Sequence, residues 1–136
     1  MSTTATIIGG ISVAGFNLPL PPFKPVRFGI VTDIHYGERE PQINRYYREA
    51  RAKVRECIDM MNEQKLDFLI EIGDLKDEVN PAKEAETLQF LDTIEKEFRR
   101  FKGRLYHVLG NHDHDSISKQ QFLNGISNSG FQKALG

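Results

Sequence analysis

Cysteine occurs once in these 136 residues, at Cys57. A disulfide framework within the chain is therefore excluded, and so is a cysteine-based zinc site. Cys57 falls inside a helical pattern, which makes it a small buried apolar residue and not a nucleophile. A charge bias is equally absent: 18 Lys and Arg face 19 Asp and Glu, for a net charge of −1. Nothing in that balance draws the chain to nucleic acid or to an anionic membrane as a bulk partner. Long apolar runs are missing too. The uncharged stretch over residues 5–20 falls short of the roughly 20 residues that a membrane-spanning helix needs. Histidine is scarce, with four in the chain (His35, His107, His112 and His114). No internal repeat or low-complexity tract is visible.

What remains is an ordinary globular composition, 39% hydrophobic and 27% charged, in a length that suits one small domain with its own core. Residues 1–22 stand apart. They resemble the apolar region of an export signal, with small residues near Ser12, Ala14 and Gly15 that suit cleavage. The basic flank is missing, since Met1-Ser2-Thr3-Thr4 carries no Lys or Arg. The arm therefore looks like a twin-arginine signal without its arginine pair. The expectation is an exported or periplasmic protein if the arm is a signal, and a cytoplasmic one otherwise. The alternative is a disordered or loosely packed apolar arm. Pro19, Pro21, Pro22 and Pro25 form a stiff linker into a domain over residues 23–136.

Within that domain, residues 26–32 (VRFGIVT), 66–72 (LDFLIEI) and 104–109 (RLYHVL) are short apolar runs rich in β-branched residues, and read as buried strands. Between the first two, residues 45–64 place Tyr47, Ala50, Val54, Ile58 and Met61 on one helical stripe. Between the second and third, Asn80-Pro81 is a helix start. Ala85, Leu88, Leu91, Ile94, Phe98 and Phe101 then keep one face apolar up to Lys102-Gly103. The charged residues between 83 and 100 read as a solvated face, with Glu95 and Arg99 four apart on its flank. Residues 118–124 open a short third helix. The alternation is β-α-β-α-β, the pattern of right-handed crossovers in a parallel sheet.

Each strand runs into a polar motif: Asp33-Ile34-His35, then Gly73-Asp74-Leu75-Lys76-Asp77, then Gly110-Asn111-His112-Asp113. The carboxyl edge of a parallel sheet is where such folds build sites. The motifs bring two carboxylates, two imidazoles and an amide to that edge, a donor set suited to divalent Mn, Fe or Zn. Two such ions sharing one carboxylate could generate a bound hydroxide and neutralise charge on a phosphate. Asp74 is the candidate bridge, because Gly73 permits a tight turn before it. Asp33 and His35 alternate along an extended segment and can face one ion. Asn111 offers a carbonyl oxygen to the second, and His112 can act as general acid.

In this order on successive strands, Asp-x-His, Gly-Asp-x-x-Asp and Gly-Asn-His-Asp resemble the motifs of the calcineurin-like metallophosphoesterase superfamily. Each motif is common on its own; the ordered triplet carries the resemblance, over about residues 26 to 131. It implies an α/β fold, the β-α-β-α-β half of an α-β-β-α sandwich with a mainly parallel sheet. It implies hydrolysis of a phosphoester or pyrophosphate bond in a phosphorylated small molecule, with two divalent metal ions (Mn, Fe or Zn) as cofactors. By that likeness Asp33 and His35 bind the first metal and Asp74 bridges both. Asn111 binds the second metal and a substrate oxygen. His112 is the proton donor or transition-state stabiliser, paired with Asp33, and also touches substrate. Asp77 and Asp113 orient the others. Asn44-Arg45-Tyr46-Tyr47-Arg48 and Tyr106-His107-Val108-Leu109 resemble the manganese-dependent ADP-ribose/CDP-alcohol diphosphatase branch.

The family goes on to a further strand with a histidine and then a Gly-His-x-His segment, which supply the remaining ligands. No histidine follows His114 here. The expectation is a truncated hydrolase, completed by a C-terminal half. The alternative is an inactive half-domain or a binding scaffold. Plainer readings stand beside several residues. Asp33 and Asp74 suit turns on their own. Arg45 and Arg48 are either phosphate contacts or a solvated helix face. Of Tyr46 and Tyr47, one suits stacking on a base and the other the core. His107 is structural, and His114 is a solvated loop residue.

Overall fold

Strand, helix and strand alternate as the apolar patterning requires: β1 (Phe28–Val31), α1 (Glu49–Glu63), β2 (Phe68–Glu71), α2 (Glu84–Phe98), β3 (Arg104–His107), a 3-10 turn (His112–His114) and α3 (Lys119–Gly125). This is a computed structural model, and it describes residues 23–78, 81 and 83–129. The arm over residues 1–22 and the expected cap Asn80 lie outside the described residues. The strands pair in parallel in the order β1-β2-β3. Each step needs a crossover, and α1 and α2 supply them. Two right-handed crossovers stepping the same way place both helices on one face, where α1 and α2 pack on each other.

The two faces of the sheet have different fates. Beneath the helices, Leu69 and Leu105 meet Ile58, Leu91, Ile94 and Phe98 in one buried cluster, each such side chain stabilising by about 1.5–3 kcal/mol. On the other face Phe28, Ile30, Ile72 and Val108 are exposed. Phe28 stacks on Phe68 with centroids 5.1 Å apart. An apolar sheet face of this kind is normally covered by another layer.

Helix boundaries differ from the sequence expectation where local chemistry intervenes. The first helix begins at Glu49 and not at residue 45, because the chain before it is spent in a turn. Gln42 and Arg45 exchange backbone hydrogen bonds of 3.2 and 2.9 Å, and Ile43 between them has a φ of 54°. Tyr47 is pulled into the core beneath the Arg39 guanidinium, 4.2 Å above its ring. The second helix is capped at Lys83. Ala85 from its expected stripe is exposed, and Phe90 takes a core place instead. Cys57 is half-buried, not fully enclosed. The third helix carries a full capping box between Ser118 and Gln121.

The largest correction concerns the charged face of α2. Glu95 and Glu97 are buried, at 1% and 2% exposure. Neither is left unpaired, which is the condition for burying a carboxylate. Glu97 accepts from Arg51 at 2.9 Å and from Arg55 at 2.7 Å, both on α1, and from Arg100 at 3.3 Å. The Arg55 hydrogen bond leads in holding the Glu97 carboxyl down at about 2. Glu95 accepts from Arg99 at 3.0 Å and from the Ser127 amide at 2.8 Å, and faces His107. These contacts lock α1 to α2 and α2 to β3.

Candidate metal centre

Past their last strand residues, β1 and β2 stay side by side. Asp33 N donates to Gly73 O at 3.2 Å, His35 N to Asp74 O at 2.9 Å and Tyr36 N to Leu75 O at 3.2 Å. Regular extended backbone does not continue, however. Asp33, His35 and Asp74 all have positive φ, at 57°, 47° and 60°. The left-handed region is costly for residues with a Cβ and tends to be held in place at functional sites. Gly73, at φ 87°, packs against Gly110. A Cβ on Gly73 would fall 2.7 Å from Gly110 Cα, and one on Gly110 would fall 2.3 Å from Asp74 N. Glycine in both motifs is thus what lets the β2 and β3 loops touch.

Asp113 ties those loops together. Its side chain is buried and accepts four backbone N–H groups. Asp74 N and Gly110 N reach Oδ2 at 2.9 and 2.8 Å, and Leu75 N and Lys76 N reach Oδ1 at 2.8 and 3.3 Å. Asp74 reciprocates, its Oδ1 accepting from His112 N at 3.0 Å. The other oxygen, Oδ2, faces His35 Nε2 at 3.7 Å, and Asp33 Oδ1 lies 3.7 Å from the same nitrogen. On the far side of the ring, Asp77 Oδ2 lies 3.6 Å from Nδ1. His35, Asp74 and His112 each offer a ligand atom within 4.8 Å of the others'. The rings of His35 and His112 meet edge to face, 5.0 Å apart.

This donor set fits a divalent cation. His35 is buried, and among the described residues its Nδ1, on the Asp77 side of the ring, has no hydrogen-bond partner. Its Nε2 contacts to Asp33 and Asp74 are too long for hydrogen bonds. Ligands bound about 2.1 Å from one shared ion sit roughly 3–3.5 Å apart, close to the spacing seen. An acid behind the distal ring nitrogen, as Asp77 stands behind Nδ1, is the usual support of a metal-bound histidine.

Of the other residues singled out in the sequence, Asn111 is exposed and immediately precedes the 3-10 turn. Arg45 is exposed in the turn before α1. Arg48 is engaged by Glu40 at 2.6 Å and Glu38 at 3.5 Å. His114 is exposed. His107 is enclosed between Glu71 at 3.1 Å and Glu95 at 3.0 Å. Burial alone would lower its pKa, but the two carboxylates outweigh that and push it up to about 9. Burial also raises Glu71, against the pull of His107.

Two residues escaped the sequence reading. Asp115 Oδ2 lies 2.7 Å from His112 Nδ1. Lys76 is fully buried, with Nζ donating to His112 O at 2.6 Å and Asp115 O at 2.8 Å. Burial lowers its ammonium pKa while Asp113, Asp115 and Asp77 oppose the shift. The signal was present: a lysine amid acids in Gly-Asp-Leu-Lys-Asp, and an acid three residues after a histidine.

Known proteins share these features. The family model for calcineurin-like phosphoesterases matches residues 26–134. A manganese-dependent ADP-ribose/CDP-alcohol diphosphatase from Arabidopsis thaliana is 28% identical over 102 residues, covering 71% of this chain and 32% of that protein. Its namesake from Danio rerio is 27% identical over 108 residues, covering 75% and 33%. The chain thus spans about a third of the length of these relatives. A crystal structure of a dimetal phosphatase from Danio rerio shares the fold, with a TM-score of 0.64 at 24% identity, over 73% of this chain and 33% of that one. Three motifs on three parallel strand ends, and a sequence match over most of the chain, agree: this chain belongs to the calcineurin-like phosphoesterase family.

Proposed function

We propose that the chain carries the metal-holding and proton-donating part of a phosphoester or pyrophosphate hydrolase acting on a phosphorylated small molecule. The observation that carries the reading is the convergence of His35, Asp74 and His112 within 4.8 Å. Asp33 and His35 would hold one divalent ion, Asp74 would bridge to a second, and Asn111 would complete the second and meet a phosphate oxygen. Such ions, when bound, neutralise charge on the phosphoryl oxygens as Lewis acids. The protein's own residues do the rest. Asp77 and Asp113 fix the ligands' orientation, and His112 delivers a proton to the leaving oxygen. Arg45 and Arg48 are cations offered to a substrate phosphate, Arg48 being also paired on the surface with Glu38 and Glu40. The names of the relatives favour manganese, and ADP-ribose or a CDP-alcohol as substrate. The exposed apolar face of the sheet supports a need for a further layer, such as a complementing C-terminal half.

Calorimetric titration of the full chain with Mn2+ tests this. Saturable binding, weakened roughly 100-fold or more in Asp74→Ala, supports the reading. Assays of ADP-ribose and CDP-choline hydrolysis follow from it. Heat that is the same in both proteins favours the second reading, an inactive half-domain or scaffold, which the same exposed face supports.

A further inference from the structure

His112 enters the centre from a three-residue 3-10 turn, a short element that cannot by itself fix a ring. Two side chains outside every motif role meet there. A 3-10 turn sets side chains i and i+3 over one another, and Asp115 accordingly brings Oδ2 to 2.7 Å from His112 Nδ1. Lys76 crosses from the β2 loop with 0% exposure. Its Nζ donates to the carbonyl oxygens of the same two residues, His112 at 2.6 Å and Asp115 at 2.8 Å. The turn is held from its other side by the hydrogen bond from His112 N to Asp74 Oδ1.

The family likeness pairs His112 with Asp33, but Asp33 is turned elsewhere. Its Oδ2 accepts from the Thr32 hydroxyl at 2.8 Å and its Oδ1 faces His35. The acid on the His112 ring is Asp115. A carboxylate on one imidazole nitrogen keeps the proton there and directs the other nitrogen to its task.

We propose that Asp115 and Lys76 are positioning residues for His112: Asp115 holds the Nδ1–H and thereby aims Nε2 at the reacting phosphoryl group, and Lys76 fixes the turn that carries both. The assignment rests on reading His112 as the proton donor. In that role the Nε2 proton passes to the leaving oxygen, while the Nδ1–H stays on Asp115, so the ring ends neutral without losing its orientation.

The test is a proton–nitrogen spectrum of the histidine rings, recorded on the metal-free full chain labelled at histidine. The wild type should show an Nδ1–H resonance for His112 protected from solvent exchange. Asp115→Ala should lose it, and Asp115→Asn, whose amide oxygen can still accept, should restore it. Asp115 is about a third exposed, so neither variant endangers the fold, and unchanged backbone amide signals from β1 and α1 check this. Lys76→Met should shift and broaden the amide signals of His112 and Asp115. Persistence of the Nδ1–H in Asp115→Ala, or unmoved turn amides in Lys76→Met, overturns the proposal. Because the readout needs neither metal nor turnover, it can fail while the hydrolase reading stands, and can succeed in a chain that binds no metal.

Discussion

Two clusters of histidine and carboxylate lie on the same sheet, one past the ends of β1 and β2 and one among β2, β3 and α2, and have opposite characters. At the sheet edge, His35 is surrounded by Asp33, Asp74 and Asp77 at 3.6–3.7 Å. In the interior, His107 is gripped by Glu71 and Glu95 at 3.1 and 3.0 Å. The functional groups are the same, imidazole and carboxylate, though aspartates supply the outer acids and glutamates the inner ones, and spacing separates their chemistry. The inner distances are short: His107 Nδ1 reaches hydrogen-bond range of Glu71, and its Nε2 lies against Glu95 at ion-pair distance. The outer gap is too wide for a hydrogen bond and suits a cation. Backbone explains the difference. The inner cluster hangs on regular strand and helix. The outer one hangs on left-handed residues, braced by the Asp113 carboxylate, that hold their side chains apart.

The largest way to break this comparison is His107→Ala. It leaves Glu71 buried without its imidazole and Glu95 with only Arg99 and the Ser127 amide, and should destabilise the fold by about 3–5 kcal/mol, read from urea unfolding. Asp77→Asn sharpens the other side. It removes the charge behind His35 Nδ1 and should weaken divalent-ion binding about 10–100-fold, while lowering the urea midpoint, through loss of the Arg39 ion pair, by less than His107→Ala does, as paired calorimetry and unfolding would show. The smallest effect is on pH. The folded His107 pKa lies above its ordinary 6.5, at about 9. Its contribution is therefore complete below about pH 6.5 and is lost as pH rises through about 9. Glu71, also raised, acts with the same sign from its ordinary 4.5 upward. The urea midpoint should fall gradually between pH 7 and pH 10, as followed by circular dichroism, and the fall should flatten in His107→Ala.

Much of the architecture was legible because the signals are local. Short apolar runs such as LDFLIEI and RLYHVL, ending at Gly-Asp and Gly-Asn, specify strand and turn together. The Ser118 and Gln121 capping box marks α3 at the residue where it starts. What escaped depends on tertiary partners. Glu97 looks like a solvated helix residue until three arginines are brought to it. Arg48 reads in the sequence as either a phosphate contact or a solvated helix face, and its exposed pairing with Glu40 emerges only in the fold. Asp115 and Lys76 gain meaning only once the 3-10 turn lies across the β2 loop. The motif residues were legible as a group, but the left-handed backbone that spaces them was not, since neither Asp nor His demands it.

The most direct test of the claim that spacing separates the two clusters is a zinc titration of the full chain, followed by the nitrogen resonances of its histidine rings. The expected result is saturable shifts at His35 and His112 with His107 unmoved, because its ring is fully buried between Glu71 and Glu95 at 3.1 and 3.0 Å. Shifts at His107 of the same size, or no saturable shift at His35, would contradict it.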